Sequence, residues 1–566
     1  GKKQWKVPVP RWLEVVVITL GLLLALVAHA YNMFNYPRYE LDEGTYMASA
    51  WAILNNMISP YAYGYGHPPL AWIQLAGFVP LMGGFFAFDN AINTGRVIML
   101  FYAVGSALLV YLSTYHLTGS RAAGLLAMML FSLSPLAITY QRQIYLDNIA
   151  TFWLLLSLYL LVSGESNLRK IVFSAVALGL AILSKEVFVL FLPGMIYGVW
   201  LHTTKFQRKF GLVAFSYTVL AVCSTFVLMA ALKGELFPSG WLPWDQSKHL
   251  SLIDTYVSQA KRGSNEGGFA QSWGHWMRGD WVLIVGGVVA PLFNLVTGWW
   301  NRKQLFMACL ALSFWALLVR GGVVLTFYII PLIPLIAINM VFAVQTAVKW
   351  LGKLFYFDLM RAILLLFIVI VLVPFSIVRG DFNYELHPTS IQNKALNWMR
   401  KNAPRNAVVI TSNYMWLDLT LPGGQGVGNN AAFSNAYMYD VAGSDPSIYD
   451  TILLNNWDRI DYFIADSQML AYITGNPQAM PANKDLGDGS NSMEQNQQKI
   501  LFNAFKRSQM VAFFQTQDHD EKFDLKIFQV QHKSPMPQVK LSQENGRDIL
   551  AGGPMPIDRR FIYTIV

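Results

Sequence analysis

Long apolar blocks alternate with short polar stretches over the first two thirds of the chain. Blocks near 12–33, 94–114, 121–138, 149–163, 171–184, 187–203, 212–232, 281–300, 304–319, 323–345 and 362–378 predict membrane-spanning helices, about eleven in all. Beyond 380 the pattern changes. Asn, Gln, Asp and Pro spread through the sequence, and no block is long enough to span. Here 395–404 predicts a helix ending before Pro404, and 407–413, 461–466 and 523–530 predict strands. The Gly/Asn/Asp-rich stretch 476–496 predicts a loop. The expected organisation is an embedded helical domain over 1–379 and a soluble α/β domain over 380–566.

One run, 70–86, is apolar but short and interrupted by Gly and Pro, and charge decides how to read it. If it lies in the interface, Arg121, Arg169, Lys170, Lys205, Arg208, Lys209, Arg302, Lys303, Lys349, Lys353 and Arg361 fall on the side of Lys2, Lys3, Lys6 and Arg11. Basic loops stay in the cytoplasm, so this parity is favoured. The segment 45–57 then reads as an amphipathic helix on the membrane. The expected location is a multi-pass cell (inner) membrane protein. Its site and its C-terminal domain face the periplasm or exterior.

Composition agrees. The chain is 54% hydrophobic and only 13% charged, against roughly 25% charged in soluble domains. The net charge of +9 comes from loop Lys and Arg without a dense run, so nucleic acid is not an expected partner. Cys223 and Cys309 both lie in apolar runs and read as packing residues. The first apolar run is too long, and lacks the cleavage site, for a signal peptide. The loop of about fifty residues between the spans ending near 232 and starting near 281 holds Trp241, Trp244, Trp273 and Trp276. Tryptophans at this level read as interface anchors, or as parts of a mobile loop over the site.

The candidate chemistry sits on the expected external face. YELDEGTY (39–46) places adjacent acids, Asp42 and Glu43, just after the first span. Acids this close to a bilayer call for a use or a partner. Neighbours on a helix point about 100° apart, which suits a base and an orienter better than a glycosidase pair. Arg142 and Asp147, Lys185 and Glu186, and Arg320 fall at span ends on the same face. Carboxylates can deprotonate an acceptor, and cations can hold a departing phosphate. A cation site formed by Asp42, Glu43, Asp147 and His67 is the competing use. No recognised metal spacing is present, and no cofactor is expected to be required, with a divalent cation left open.

At these residues the chain resembles the membrane-embedded GT-C glycosyltransferases, closest to the protein O-mannosyltransferases and the bacterial lipid A aminoarabinose transferase. The likeness covers about 12–378, and more loosely the C-terminal part. It rests on the Asp42–Glu43 pair, GHPPLAW (66–72), QRQIYLDNIATFW (141–153), LSKEVFVLFLPG (183–194) and FYIIPLIP (327–334). The resemblance implies juxtamembrane helices in the first external loop, a polyprenyl-phosphate monosaccharide donor, and inversion at the anomeric carbon. By the same resemblance Asp42 matches the catalytic base, Glu43 its neighbour, and Asp147 a second acid near the site. Tyr328 matches a tyrosine associated with the donor phosphate. His67 stands where the aminoarabinose transferase has a donor-side lysine. Lys185, Arg142 and Arg320 join the donor set on charge and topology. The expected function is an inverting glycosyltransferase working on a lipid, glycan or protein acceptor. The alternative is a lipid or solute transporter, which would tend to show repeats or polar residues at mid-span.

Overall fold

The computed structural model describes residues 11–164, 166–241, 249–261, 268–351, 375, 378–422, 432–443, 445–481, 498–518 and 521–532, together with the backbone of 541–544 and 547–550. Lys2, Lys3, Lys6, Trp244, Lys353, Arg361 and most of the expected span at 362–378 lie outside the described residues, as does most of the expected loop at 476–496.

The apolar blocks fold as helices. These are α1 (Arg11–Ala30), α2 (Leu41–Leu54), α3 (Leu70–Met82), α4 (Ala91–Thr118), α5 (Arg121–Ser132), α6 (Pro135–Arg142) and α7 (Leu146–Val162). Then come α8 (Leu168–Ser184), α9 (Leu192–His202), α10 (Arg208–Leu232), α11 (Leu252–Ala260), α12 (Phe269–Thr297), α13 (Arg302–Val319) and α14 (Leu332–Leu351). Polar residues set their ends. Asn90 accepts the Asn93 N–H to start α4, Gly119 ends it in the left-handed region at φ 70°, and Ser120 caps α5.

Among the described residues 6 helices are long and apolar enough to cross a membrane, or 7 if α5 and α6, bent by 63°, form one broken span. The expected number of about eleven is therefore not confirmed. Several expected spans are short helices: α7 and α8 have 17 residues each, and α9 has 11 after the 3-10 turn Glu186–Phe191. On α1 and α10 large apolar side chains such as Leu20, Val27, Val213 and Leu220 are exposed. A lipid surrounding makes that arrangement favourable along a whole helix.

The short run at 70–86 forms α3, 13 residues long, about 20 Å at the helical rise and short of the roughly 30 Å hydrocarbon core. Of residues 45–57, expected to lie on the membrane, 45–54 belong to a largely buried helix. In α2, Glu43, Gly44, Tyr46, Met47, Ala48, Ser49, Ala50 and Ala52 are all buried.

The C-terminal part explains that burial, through the helix Asn413–Thr420 and the sheet behind it. Its strands β1 (Val408–Thr411), β2 (Asn435–Met438), β3 (Tyr462–Ala465), β4 (Ser508–Asp518) and β5 (Glu521–Val530) stand in the order β2-β1-β3-β5-β4. Parallel pairing of β1 with β2 and β3 gives way to antiparallel β3–β5 and β5–β4. The helix Thr389–Asn402 and the three predicted strands are found with shifted ends; β2 and β4 are additions. One apolar core contains Tyr46, Trp72 and Met99 from α2, α3 and α4 together with Tyr414, Trp416 and Ile527 from the C-terminal part.

Candidate active site

The site is built around the first turn of α2. Glu43 takes the inward direction. Its carboxylate is fully buried, and Arg96 of α4 grips it through Nε to Oε1 (2.9 Å) and Nη2 to Oε2 (2.8 Å). Glu43 also accepts the N–H groups of Glu40 (3.0 Å) and Ile144 (3.2 Å). The bond from the Glu40 N–H closes the start of the helix. Arg96 spends its remaining N–H groups on the carbonyls of Met33, Pro37 and Arg38. Glu43, expected to share the catalytic work with Asp42, therefore has no edge facing a substrate. It is a positioning residue that fixes α2 and the loop before it.

Asp42, one residue earlier, points elsewhere, as neighbours on a helix must. It is half-buried, and its carboxylate has no hydrogen bond or ion pair among the described residues. Burial pushes its pKa up to about 6; Lys185 and His67 pull against that, and Glu40 and Asp147 add to it. The same interactions show which groups surround it.

Asp147, at the start of α7, and Lys185, between α8 and the Glu186–Phe191 turn, form a buried ion pair at 2.9 Å. Burial works against the Lys185 charge, yet Asp147 and Glu186 outweigh it and raise its pKa. Its ammonium also lies 5.4 Å from the Phe327 ring and 5.5 Å from the Tyr328 ring. His67 donates its Nδ1–H to the Glu186 carboxylate (2.8 Å), both groups half-buried. Thus Asp42, Asp147, Lys185, His67 and Tyr328 converge from five separate stretches of chain.

Two expected donor-binding residues do not join them. Arg142 is buried, and its guanidinium is consumed by backbone carbonyls: Ala28, His29 and Tyr31 at the end of α1, then Tyr36 and Asn383. The last carbonyls of a helix lack intrahelical partners, and an arginine is well shaped to collect several. Arg320 is exposed at the end of α13 and bonds no site residue among the described residues. Among the described residues no three His, Cys, Asp or Glu side chains gather as a metal set.

Arg96 and Glu40 are the residues that sequence reasoning passed over as parts of the site, and Glu186, expected on the same face, proves to be the partner of His67. Arg96 carried a usable signal, since an arginine inside a long apolar helix requires a buried partner. The long loop after α10 also has a part. Thr255 and Gln259 of α11 hydrogen-bond the carbonyls of Gly64 and Gly66, just before His67. Trp276, expected at the interface, is fully buried and donates its indole N–H to Thr326. Trp241 is exposed.

From outside the membrane bundle, the helix Asn413–Thr420 presses on α2. Asn413 Nδ2 donates to Thr45 Oγ1 at 2.8 Å. A Cβ on Gly44 would fall 2.1 Å from the Asn413 carbonyl carbon, so only glycine permits this approach. Gly44→Ala is expected to destabilise the protein by about 1–3 kcal/mol and to lower turnover as Asp42 shifts with α2. Thermal unfolding and turnover of the purified variant check this; unchanged values would show that the contact is slack.

Residues 19–238 match the family described as dolichyl-phosphate-mannose-protein mannosyltransferase. No curated protein matches the sequence. Among solved structures, the chain is similar to the oligosaccharyltransferase of Archaeoglobus fulgidus in its apo form, at 11% identity and TM-score 0.52, covering 83% of this chain and 71% of that one. The archaeal oligosaccharyltransferase AglB in complex with an inhibitory peptide and a dolichol-phosphate, also from Archaeoglobus fulgidus, matches at 13% identity and TM-score 0.52, over 82% and 70%. ArnT from Cupriavidus metallidurans bound to undecaprenyl phosphate matches at 12% identity and TM-score 0.50, over 91% of this chain and 98% of that one. The matched segment spans the whole first turn of α2 and the Asp147–Lys185 pair, and over most of its length the chain shares the fold of these oligosaccharyltransferase and ArnT structures.

Proposed function

We propose that the chain moves a sugar from a polyprenyl-phosphate monosaccharide to an acceptor at the external membrane face, inverting the anomeric carbon, with Asp42 as general base. The observation that carries this reading is the Asp42 carboxylate, unpaired and raised to about 6, beside an ammonium and an imidazole. In the reaction, Asp42 takes the proton of an acceptor hydroxyl or amine. The freed electron pair attacks the anomeric carbon as its bond to the phosphate oxygen breaks. That bond's electrons leave with the phosphate, where N–H groups of Lys185 not given to Asp147 and, when the ring is protonated, the Nε2–H of His67 can meet them. Asp147 and Glu186 hold Lys185 and His67 in place. Tyr328, packed beside Lys185, supplies a hydroxyl on the same wall.

The polyprenyl donor is supported by the lipid phosphates named with two structures of this fold. Orientation is supported by charge. Arg121 pairs with Glu14 at the start of α1 (2.9 Å), whereas Arg142 binds the end of α1 near the site. The basic loops and the site thus occupy opposite ends of that helix, as the positive-inside rule requires of an external site. In this reading 1–379 is the embedded catalytic part and 380–566 the external one, in the cell (inner) membrane.

Purified protein incubated with a panel of polyprenyl-phosphate sugars is expected to consume at least one of them. No consumption of any would refute the reading. A second contrast separates the two kinds of cation. Lys185→Met is expected to raise the donor KM tenfold or more, on the order of a lost charged hydrogen bond. Arg142→Lys is expected to lower thermal stability and leave the donor KM within about twofold. Donor saturation curves of both variants check this, and a larger KM effect at Arg142 would return it to the donor set.

A further inference from the structure

A buried tyrosine normally finds a partner for its hydroxyl. Tyr145, two residues before Asp147, departs from that rule. The residue is 5% exposed, yet its hydroxyl makes no hydrogen bond among the described residues. The rest of it is fixed. Its carbonyl accepts the Asn148 N–H at 3.1 Å in the turn that opens α7, and its own N–H bonds the Gln143 carbonyl at 2.9 Å. The N–H of its neighbour Ile144 bonds Glu43. The Tyr145 ring lies on Phe327, with centroids 4.3 Å apart and planes inclined by 14°. On another side it meets Tyr140 edge-on at 6.5 Å.

This anchoring runs Tyr145 from the base towards the leaving-group side. The acids whose charges act on its hydroxyl are Glu40, Asp42 and Glu43. Glu40 and Glu43 are already bonded to Arg38 and Arg96, so Asp42 is the one of the three without a partner among the described residues. Phe327, on which the ring stacks, lies 5.4 Å from the Lys185 ammonium. In an inverting transfer the nucleophile and the departing phosphate stand on opposite sides of the anomeric carbon. What lies between Asp42 and Lys185 is then the sugar itself. A hydroxyl beside Asp42, on a ring that leads back to Lys185, borders that sugar. A phenol both donates and accepts, which matches a sugar hydroxyl, and it carries no charge with which to hold the phosphate.

We propose that Tyr145 is a sugar-binding residue of the donor site, its hydroxyl holding a hydroxyl of the transferred sugar beside Asp42. This rests on the transfer reaction above and adds the residue that tells a loaded donor from the bare lipid phosphate left after transfer. Once the sugar has gone, the bond to Tyr145 goes with it, and the lipid phosphate is held by Lys185 and His67 without that contact.

The test is binding to the purified full chain in detergent, measured by isothermal titration. The probes are decaprenyl-phosphate mannose, decaprenyl-phosphate glucose, decaprenyl-phosphate galactose and decaprenyl phosphate without a sugar. The wild type is expected to bind at least one sugar lipid more tightly than the bare lipid phosphate. Tyr145→Phe keeps the ring and its stack on Phe327. It is expected to weaken that sugar lipid about three- to tenfold, as for one lost neutral hydrogen bond. Binding of the bare lipid is expected to stay within twofold, and thermal unfolding to stay unchanged. Lys185→Met is expected to weaken both lipids alike. Equal losses on both lipids in Tyr145→Phe, no loss on either, or a wild type that prefers no sugar lipid to the bare phosphate would overturn the proposal. Consumption of the sugar lipid by the wild type is a separate readout. Selective binding through Tyr145 without consumption would sink the transfer reaction alone, and consumption with binding unchanged in Tyr145→Phe would sink the Tyr145 assignment alone.

Discussion

Replacing Arg96 by methionine is expected to lower the unfolding free energy by about 3–5 kcal/mol, the cost of leaving a buried charge without its partner. The side chains of both Arg96 and Glu43 are 0% exposed, so water cannot take over the lost bonds. The effect extends beyond the pair, because Arg96 also holds three carbonyls of the segment 33–38 that feeds α2. Turnover is expected to fall with stability, since Asp42 sits on that helix. Thermal unfolding of the purified variant, followed by tryptophan fluorescence, measures the first effect. Adding Glu43→Leu removes the orphaned carboxylate and is expected to restore part of the stability. It cannot restore all of it, because the N–H groups of Glu40 and Ile144 and the three carbonyls still lack partners. Full recovery in the double variant would mean that the backbone bonds contribute little.

Much of this was readable in the sequence. Apolar blocks marked the helices of the embedded part, because lipid leaves the backbone little other choice. The helix boundaries at Gly119, Ser120 and Asn90 carry ordinary capping residues. The grouping of Asp42, Asp147, Lys185, His67 and Tyr328 was expected from their common face and a family resemblance, and the structure brings them together. What could not be read was direction. Arg142 and Lys185 look alike in sequence, both cations at a span end. One faces the unpaired carbonyls of α1 and the other faces Asp147. Such a choice depends on which helix ends lie nearby, a tertiary fact. Likewise, nothing local distinguishes α2 from a surface amphipathic helix. Its burial comes from the helix Asn413–Thr420, more than three hundred residues away in the chain. Strands β2 and β4 escaped notice for a similar reason, since their neighbours in the sheet define them more than their own composition.

Asp42→Asn is expected to lower the rate of sugar transfer by about a hundred- to ten-thousandfold, the usual contribution of a general base. Asparagine keeps the size and shape of the side chain, and Asp42 holds no other described group in place by a hydrogen bond, so the fold is expected to survive. Donor binding is expected to persist as well, because Lys185 and His67 keep their own carboxylate partners. The sign of the pH dependence follows from the raised pKa. A base acts only when deprotonated, so the rate should be high above about 6 and fall as pH drops through that value. Burial is the main cause of the shift, and the cations of the site moderate it.

The most direct measurement of the account is the pH profile of single-turnover donor cleavage with a saturating acceptor, wild type beside Asp42→Asn, with donor binding measured in parallel. The account predicts a wild-type rate that declines below about pH 6, together with a variant that binds donor and does not transfer. Full transfer by Asp42→Asn, with an unaltered profile, would contradict it.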